Sequence, residues 1–170
     1  SPIDLDLFPR LEGVLDLIYN PARTQLLLDA EKRNLVTENG LWMLVAQAKE
    51  AAEFFIGSPI ADDRIETIYH VLSRQMQNLI LIGMPGCGKT TTGNLLAQVC
   101  GREFVDADAE IVRMAGKPIP DIFAEDGEEA FRQLETAVLA QLGKQSGLVI
   151  STGGGCVTKV RNYDLLHQNG

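Results

Sequence analysis

A lysine and a threonine closing a glycine-rich loop, two aspartates one residue apart, an arginine three residues before a glutamate, and three consecutive glycines are the residues here able to do chemistry. The loop reads Gly83-Met84-Pro85-Gly86-Cys87-Gly88-Lys89-Thr90. Gly83, Gly86 and Gly88 let the backbone take turns closed to residues with a Cβ, so successive N–H groups can turn inward onto phosphate oxygens. A helix starting near Gly88 would present unpaired N–H groups and the positive end of its dipole to the same anion. Lys89 adds a point charge for the outer phosphates, and Thr90 places a hydroxyl where it can ligate the Mg²⁺ that travels with a nucleoside triphosphate. Cys87 and Thr91 complete the nucleotide-binding stretch, Cys87 as a small loop residue with no chemistry of its own.

The remaining groups have bland readings beside functional ones. Asp106-Ala107-Asp108 follows an expected strand at Glu103 to Val105, and ligands of doubly wound sheets bind at the carboxyl ends of parallel strands. Carboxylates there can hold a hydrated Mg²⁺ or act on a substrate hydroxyl; equally, they can be the acidic first turn of a helix. Gly153-Gly154-Gly155 follows a buried strand and leaves room for a ligand to approach the backbone, or is a flexible loop. Arg132 and Glu135 share one helical face at i and i+3, so the carboxylate can orient the guanidinium for a bidentate grip on a planar carboxylate. The alternative is a surface ion pair of about 1 kcal/mol at most.

The elements that must hold these groups alternate between strand and helix. Val14 to Tyr19 reads as a strand stopped by Asn20-Pro21, Thr24 to Arg33 as a helix with Leu26, Leu27 and Ala30 on one face, and Leu35 to Gly40 as a short extended piece. Leu41 to Ile56 is a helix with Leu44, Val45, Ala48, Ala52 and Phe55 at helical spacing, stopped by Gly57. Ser58-Pro59 caps a connecting helix whose apolar positions are Ile65, Ile68, Tyr69, Leu72 and Met76. Then come a strand from Leu79, the loop, a helix from Thr91 to Val99, the strand at Glu103, helices at Ala107 to Ala115 and Pro120 to Lys144, and a buried strand Leu148-Val149-Ile150. This alternation predicts an α/β fold with a parallel, doubly wound sheet.

Composition narrows the partners. The 170 residues carry a formal net charge of -8, which argues against nucleic acid, and no apolar stretch approaches a membrane span. The start, Ser1-Pro2-Ile3-Asp4, has neither a basic region nor an initiating Met, so it reads as a cut rather than a signal peptide. Cys87, Cys100 and Cys156 form neither a metal-spaced set nor an even disulfide framework, which fits a reducing cytoplasm; each is expected as a small apolar residue in or near a core.

Taken in order, Gly83 to Thr90, Val105-Asp106-Ala107-Asp108, Ile122 to Glu135 with Phe131-Arg132, and Thr152-Gly153-Gly154-Gly155 resemble shikimate kinase. The resemblance implies the three-layer parallel sheet of P-loop kinases, here incomplete, and ATP-dependent phosphorylation of the 3-hydroxyl of shikimate. It implies Lys89 and the loop N–H groups on the phosphates, Thr90 on Mg²⁺ and Asp106 on Mg²⁺ through water. Asp108 would hold the attacking hydroxyl and serve as its base, Arg132 would grip the shikimate carboxylate with Glu135 behind it, and Gly154 and Gly155 would line the substrate side. It further implies that an arginine-bearing lid, a second carboxylate-binding arginine and an adenine loop lie beyond Gly170, so that the chain as given binds a phosphate-bearing ligand weakly and turns over slowly or not at all.

A different resemblance covers the front of the chain. Asp16 to Pro21, Thr24, and Asn39 to Gln47 look like the C-terminal end of shikimate dehydrogenase, a Rossmann-like α/β domain. It implies Tyr19 and Gln47 on shikimate, Gly40 and Met43 near a nicotinamide, and NADP as cofactor of the dehydrogenase part; Trp42 and Ala46 stand where that family has glycine and histidine. The dinucleotide glycine fingerprint and the catalytic lysine and aspartate of that family are absent from these residues. The chain is therefore expected to carry a dehydrogenase tail at 1–57, a helical linker at 58–78 and the front of a kinase at 79–170. Another small-molecule kinase of the glycine-loop type and a non-catalytic nucleotide-binding module remain the alternatives.

Overall fold

In the computed structural model, which describes residues 3–170, the chain divides into two units, Ser1–Gln77 and Asn78–Gly170. In the first unit, β1 (Gly13–Leu15) and β2 (Val36–Glu38) form a parallel ladder with Val14 opposite Thr37, crossed over by α1 (Gln25–Glu31). Thr24 is the N-cap of α1 and also donates its hydroxyl to Asp16 Oδ2 at 2.6 Å, tying the helix start to the segment after β1. Helix α1 buries Leu27, Leu28 and Ala30. Helix α2 (Leu41–Ile56) fills its expected span and ends on Gly57 in the left-handed conformation. Helix α3 (Asp63–Met76) packs against α2, and Lys49 of α2 reaches both Glu53 at 3.1 Å and Asp62 at 2.7 Å, pinning the turn between them.

Several expectations for this unit need correction. The first strand stops at Leu15, because Asp16 turns its carboxylate onto the N–H of Ile18 and ends the ladder. The connecting helix starts at Asp63 and not at Ser58-Pro59, since Ile60 N–H is held by Glu53 Oε1 at 2.7 Å. Of the expected apolar face of α2, Val45 is buried but Phe55 is 84% exposed.

The second unit carries a fully parallel sheet of β3 (Leu79–Leu81), β4 (Glu103–Asp106) and β5 (Leu148–Ser151) in the order β3-β5-β4. Strand β5 is buried at all four positions, which is why Leu148-Val149-Ile150 is a continuous apolar run rather than an alternation. Helix α4 (Lys89–Cys100) crosses from β3 to β4; a side chain at its Gly93 would run into Phe104, so glycine there lets the helix lie close on the sheet. Beyond β4 come α5 (Ala107–Ala115), α6 (Ile119–Glu125), α7 (Gly127–Leu142) and, after β5, α8 (Val160–His167). Ile111, Ile122, Phe131, Val138, Leu139 and Ile150 form the core between them.

The single helix expected from Pro120 to Lys144 is two helices, broken at Asp126-Gly127, where Gly127 takes φ +84. The break folds α6 back onto α7 and stacks Phe123 on Phe131 with centroids 4.6 Å apart. Of the three cysteines only Cys156 is buried; Cys87 and Cys100 are exposed, the first on the loop and the second at the end of α4, so neither fills a core. Among the described residues no helix is long and apolar enough to cross a membrane.

Candidate active site

The glycine loop runs from β3 into α4, and its carbonyls and glycines set its shape. Gly86 and Gly88 sit at φ +74 and +85, and a side chain at either would meet nothing within 4 Å, so the inner rim of the loop is open. Lys89 Nζ donates to the carbonyl oxygens of Gly83 and Met84, both at 2.9 Å, and its remaining contact is Cys87 Sγ at 3.8 Å. An ammonium has three donors, so two shape the loop and the third is held only by a weak sulfur acceptor that a phosphate oxygen can replace. The loop borders a cavity of about 360 Å³ that also takes in Asp106, Asp108, Ser151, Thr152 and Gly154. An open glycine rim, a cation and a helix N-terminus beside such a cavity fit the triphosphate of a nucleotide.

Asp106 serves two structures at once. Its Oδ1 accepts from the N–H groups of Asp108 and Ala109, capping α5, while Oδ2 accepts from Thr90 Oγ1 at 3.0 Å. The cap reading and the ligand reading of this aspartate are therefore both present, and the cap fixes the rotamer that brings Oδ2 to Thr90. Among the described residues no three His, Cys, Asp or Glu side chains cluster as a metal cage. A hydroxyl and one carboxylate beside a phosphate loop fit Mg²⁺, which keeps several waters and takes its other oxygens from phosphates.

Asp108 is half-buried at the first turn of α5. Burial, and after it the Asp106 carboxylate, push its carboxyl above the ordinary aspartate range, against the pull of Lys89 and Arg132. Arg132 lies on α7, its Nη1 on Glu135 Oε2 at 3.0 Å and its Nη2 on Glu128 Oε1 at 3.4 Å, with its Cζ 5.3 Å from the Phe131 ring centroid. Glu135 is 1% exposed, and its second oxygen, Oε1, is buried without a hydrogen-bond partner. Burial pushes its carboxyl up, against the hydrogen bond from Arg132. The i, i+3 spacing thus does produce an oriented guanidinium, and it is not a surface pair: the Arg132 side chain is 19% exposed and that of Glu135 2%.

The second glycine turn closes the site from the end of β5. Thr152 donates both its N–H and its hydroxyl to the Leu81 carbonyl, at 3.1 and 2.9 Å, which ties this turn to the strand feeding the phosphate loop. Behind it, buried Asn162 of α8 donates to the Cys156 carbonyl at 2.8 Å and accepts from Thr136 of α7 at 3.0 Å. Burial pushes the Cys156 thiol up, so it stays protonated and acts as a small buried group. Sequence reasoning missed Glu128 and Asn162. Glu128 stands at i−4 to Arg132 and was findable by helical spacing; Asn162 carried no such signal.

The comparisons with known proteins agree with this geometry. The family model for shikimate kinase matches residues 85–170. The chain belongs to the shikimate kinase family. It is 53% identical over 90 residues to the shikimate kinase of Thermosynechococcus vestitus, covering 53% of this chain and 49% of that protein, and 47% identical over 95 residues to that of Acinetobacter baumannii strain AYE, covering 56% and 53%. The chain spans about half the length of the curated relatives it matches. Among solved structures, shikimate kinase from Acinetobacter baumannii in complex with shikimate matches with a TM-score of 0.56 at 45% identity, covering 59% of this chain and 56% of that one. Shikimate kinase from Aquifex aeolicus matches with a TM-score of 0.53 at 37% identity, covering 55% and 60%. These neighbours share the P-loop kinase fold, a parallel sheet flanked by helices, as the alternation of elements led us to expect.

In the first unit, Tyr19 is exposed in the segment after β1 and Gln47 is exposed on α2. Gly40 precedes α2, and a side chain there would run into the backbone of Leu17, so its glycine has a packing reason of its own. Met43 is 40% and Trp42 43% exposed, with Trp42 edge-on to Tyr69 at 5.3 Å.

Proposed function

We propose that this chain carries the nucleotide- and acceptor-binding face of a kinase that transfers the terminal phosphoryl group of ATP to the 3-hydroxyl of shikimate. The observation that carries the proposal is the meeting of three groups on one cavity rim and its glycine turn: the open phosphate loop, the Asp106–Thr90 pair, and Asp108 with the pull of Arg132 upon it. Lys89 and the N–H groups from Gly83 through Thr91 hold the phosphates, and Thr90 and Asp106 hold Mg²⁺, Asp106 through water. When bound, Mg²⁺ supplies charge neutralisation on the phosphate oxygens. Arg132, fixed by Glu135 and Glu128, grips the acceptor's carboxylate, and Gly154 and Gly155 line its other side. Asp108 orients the attacking hydroxyl and takes its proton; a carboxyl raised by burial is the better matched to that task near neutral pH. Positioning and charge stabilisation are most of what phosphoryl transfer needs, and these side chains supply both.

For the front of the chain we propose the tail of a shikimate dehydrogenase at 1–57, joined by a linker at 58–78, helical over Asp63–Met76, to the kinase portion at 79–170, in a fused, multifunctional enzyme of the shikimate pathway in the cytoplasm. Tyr19 and Gln47 would then face shikimate in the dehydrogenase, whose cofactor is NADP. Supporting the reading are the Thr24–Asp16 hydrogen bond, which joins two residues of the resembling stretch, and the parallel β1–α1–β2 unit.

Titrating ATP·Mg²⁺ in the absence and presence of shikimate tests the kinase reading. Nucleotide binding that tightens with shikimate supports it. Nucleotide binding with no response to shikimate removes shikimate as the acceptor and leaves a kinase of another small molecule.

A further inference from the structure

Three consecutive glycines suggest a turn with positive φ, yet none of Gly153, Gly154 and Gly155 has one, and Gly155 sits at φ −101. Conformational freedom is therefore not what these positions use. They use the absence of a side chain. A Cβ on Gly153 would lie 2.7 Å from Asp108 Oδ1 and 3.2 Å from Glu135 Oε1. On Gly154 it would lie 2.5 Å from Cδ and 2.7 Å from Cγ of Pro85, and on Gly155 2.6 and 2.7 Å from Nη1 and Nη2 of Arg132. Separations under 3 Å are ones that a real Cβ does not hold, so alanine at any of the three must displace its neighbour.

Each neighbour is a different working part of the site. We infer that the triple glycine is a positioning element: Gly153 seats the Asp108 and Glu135 carboxyl groups, Gly154 seats Pro85 of the phosphate loop, and Gly155 seats the Arg132 guanidinium. The turn then sets the separation between the group that handles the hydroxyl and the group that grips the carboxylate. The unpartnered Oε1 of Glu135 fits this account, since it is held over Gly153 by shape and not by a hydrogen bond. Only the functional consequence rests on the kinase reading above; the seating itself does not.

Double-mutant cycles on the whole chain test the seating. The readout is the denaturant midpoint of the Asn78–Gly170 unit, followed by amide exchange of β5. Gly153→Ala and Gly155→Ala each lower the midpoint. Asp108→Ala recovers more than half of the Gly153→Ala loss, and Arg132→Ala more than half of the Gly155→Ala loss, because the truncated partner vacates the space. The crossed pairs, Gly153→Ala with Arg132→Ala and Gly155→Ala with Asp108→Ala, add. Matched pairs that add like the crossed ones overturn the inference. If Gly153→Ala does not fold, the double variant with Asp108→Gly must; an unfolded double variant overturns it equally. In the same proteins shikimate affinity falls at least tenfold in Gly153→Ala and Gly155→Ala. Cycles that behave as stated in a chain that binds no shikimate would remove shikimate as the acceptor and leave the seating intact.

Discussion

Asp108 and Glu135 are carboxyl groups that the fold holds at some cost to itself. Burial raises both, so the charged form of Asp108 opposes folding near neutral pH. Asp108→Asn is expected to raise the unfolding midpoint at pH 7 and, made in the intact parent enzyme, to lower phosphoryl transfer to shikimate by about 10²–10⁴-fold; a retained rate in that parent would remove Asp108 as the base. For Glu135 the sign follows from linkage. A carboxyl raised on folding binds protons more tightly in the native state, so its contribution to stability is greatest below the ordinary glutamate range and declines as pH rises through the raised value. Glu135→Gln should flatten that decline, which a series of unfolding curves between pH 4 and about 8 would reveal as a smaller slope. Arg132→Ala removes a charge-assisted pair of about 1.5–3 kcal/mol, so the dissociation constant of shikimate, measured calorimetrically, should rise by roughly 10- to 150-fold.

At the scale of elements, the site depends on two junctions. One is the break at Asp126-Gly127, which turns one long helical pattern into α6 and α7 and lets Phe123 cover Phe131 behind Arg132. An acid-rich stretch with good helix formers on both sides hides such a break, because helical periodicity continues across it; only Gly127 marks it. The other junction is Asn162, which joins α8 to α7 and to the turn after the glycines. Asn162→Ala leaves the buried Cys156 carbonyl without its donor and should destabilise the chain by about 1–3 kcal/mol, read from the denaturant midpoint. An unchanged midpoint would mean that α8 is held by its apolar contacts alone.

At the scale of the whole chain, only one of the two units should answer to a nucleotide. Excess ATP·Mg²⁺ is expected to raise the unfolding midpoint of the Asn78–Gly170 unit, by an amount that grows with the logarithm of its concentration. NADP should leave the Ser1–Gln77 unit unmoved, because the dinucleotide glycine fingerprint is absent from these residues; a clear NADP shift, followed by amide exchange of α1, would contradict that. The α/β class, the glycine loop and the four kinase motifs were legible in the sequence, since strand–loop–helix order and i, i+3 spacing are local properties of a chain. The helix limits near Ser58 and Asp126 and the exposure of Cys87, Cys100 and Phe55 were not, because side-chain bonds and packing partners decide them. So it is with the chemistry. Sequence alone picked out the residues proposed to hold phosphate and to carry charge toward an acceptor. Tertiary structure decided that Asp108, Pro85, Arg132 and Glu135 converge on three successive glycines, because steric closeness between residues far apart in the chain exists only once β5 lies between β3 and β4.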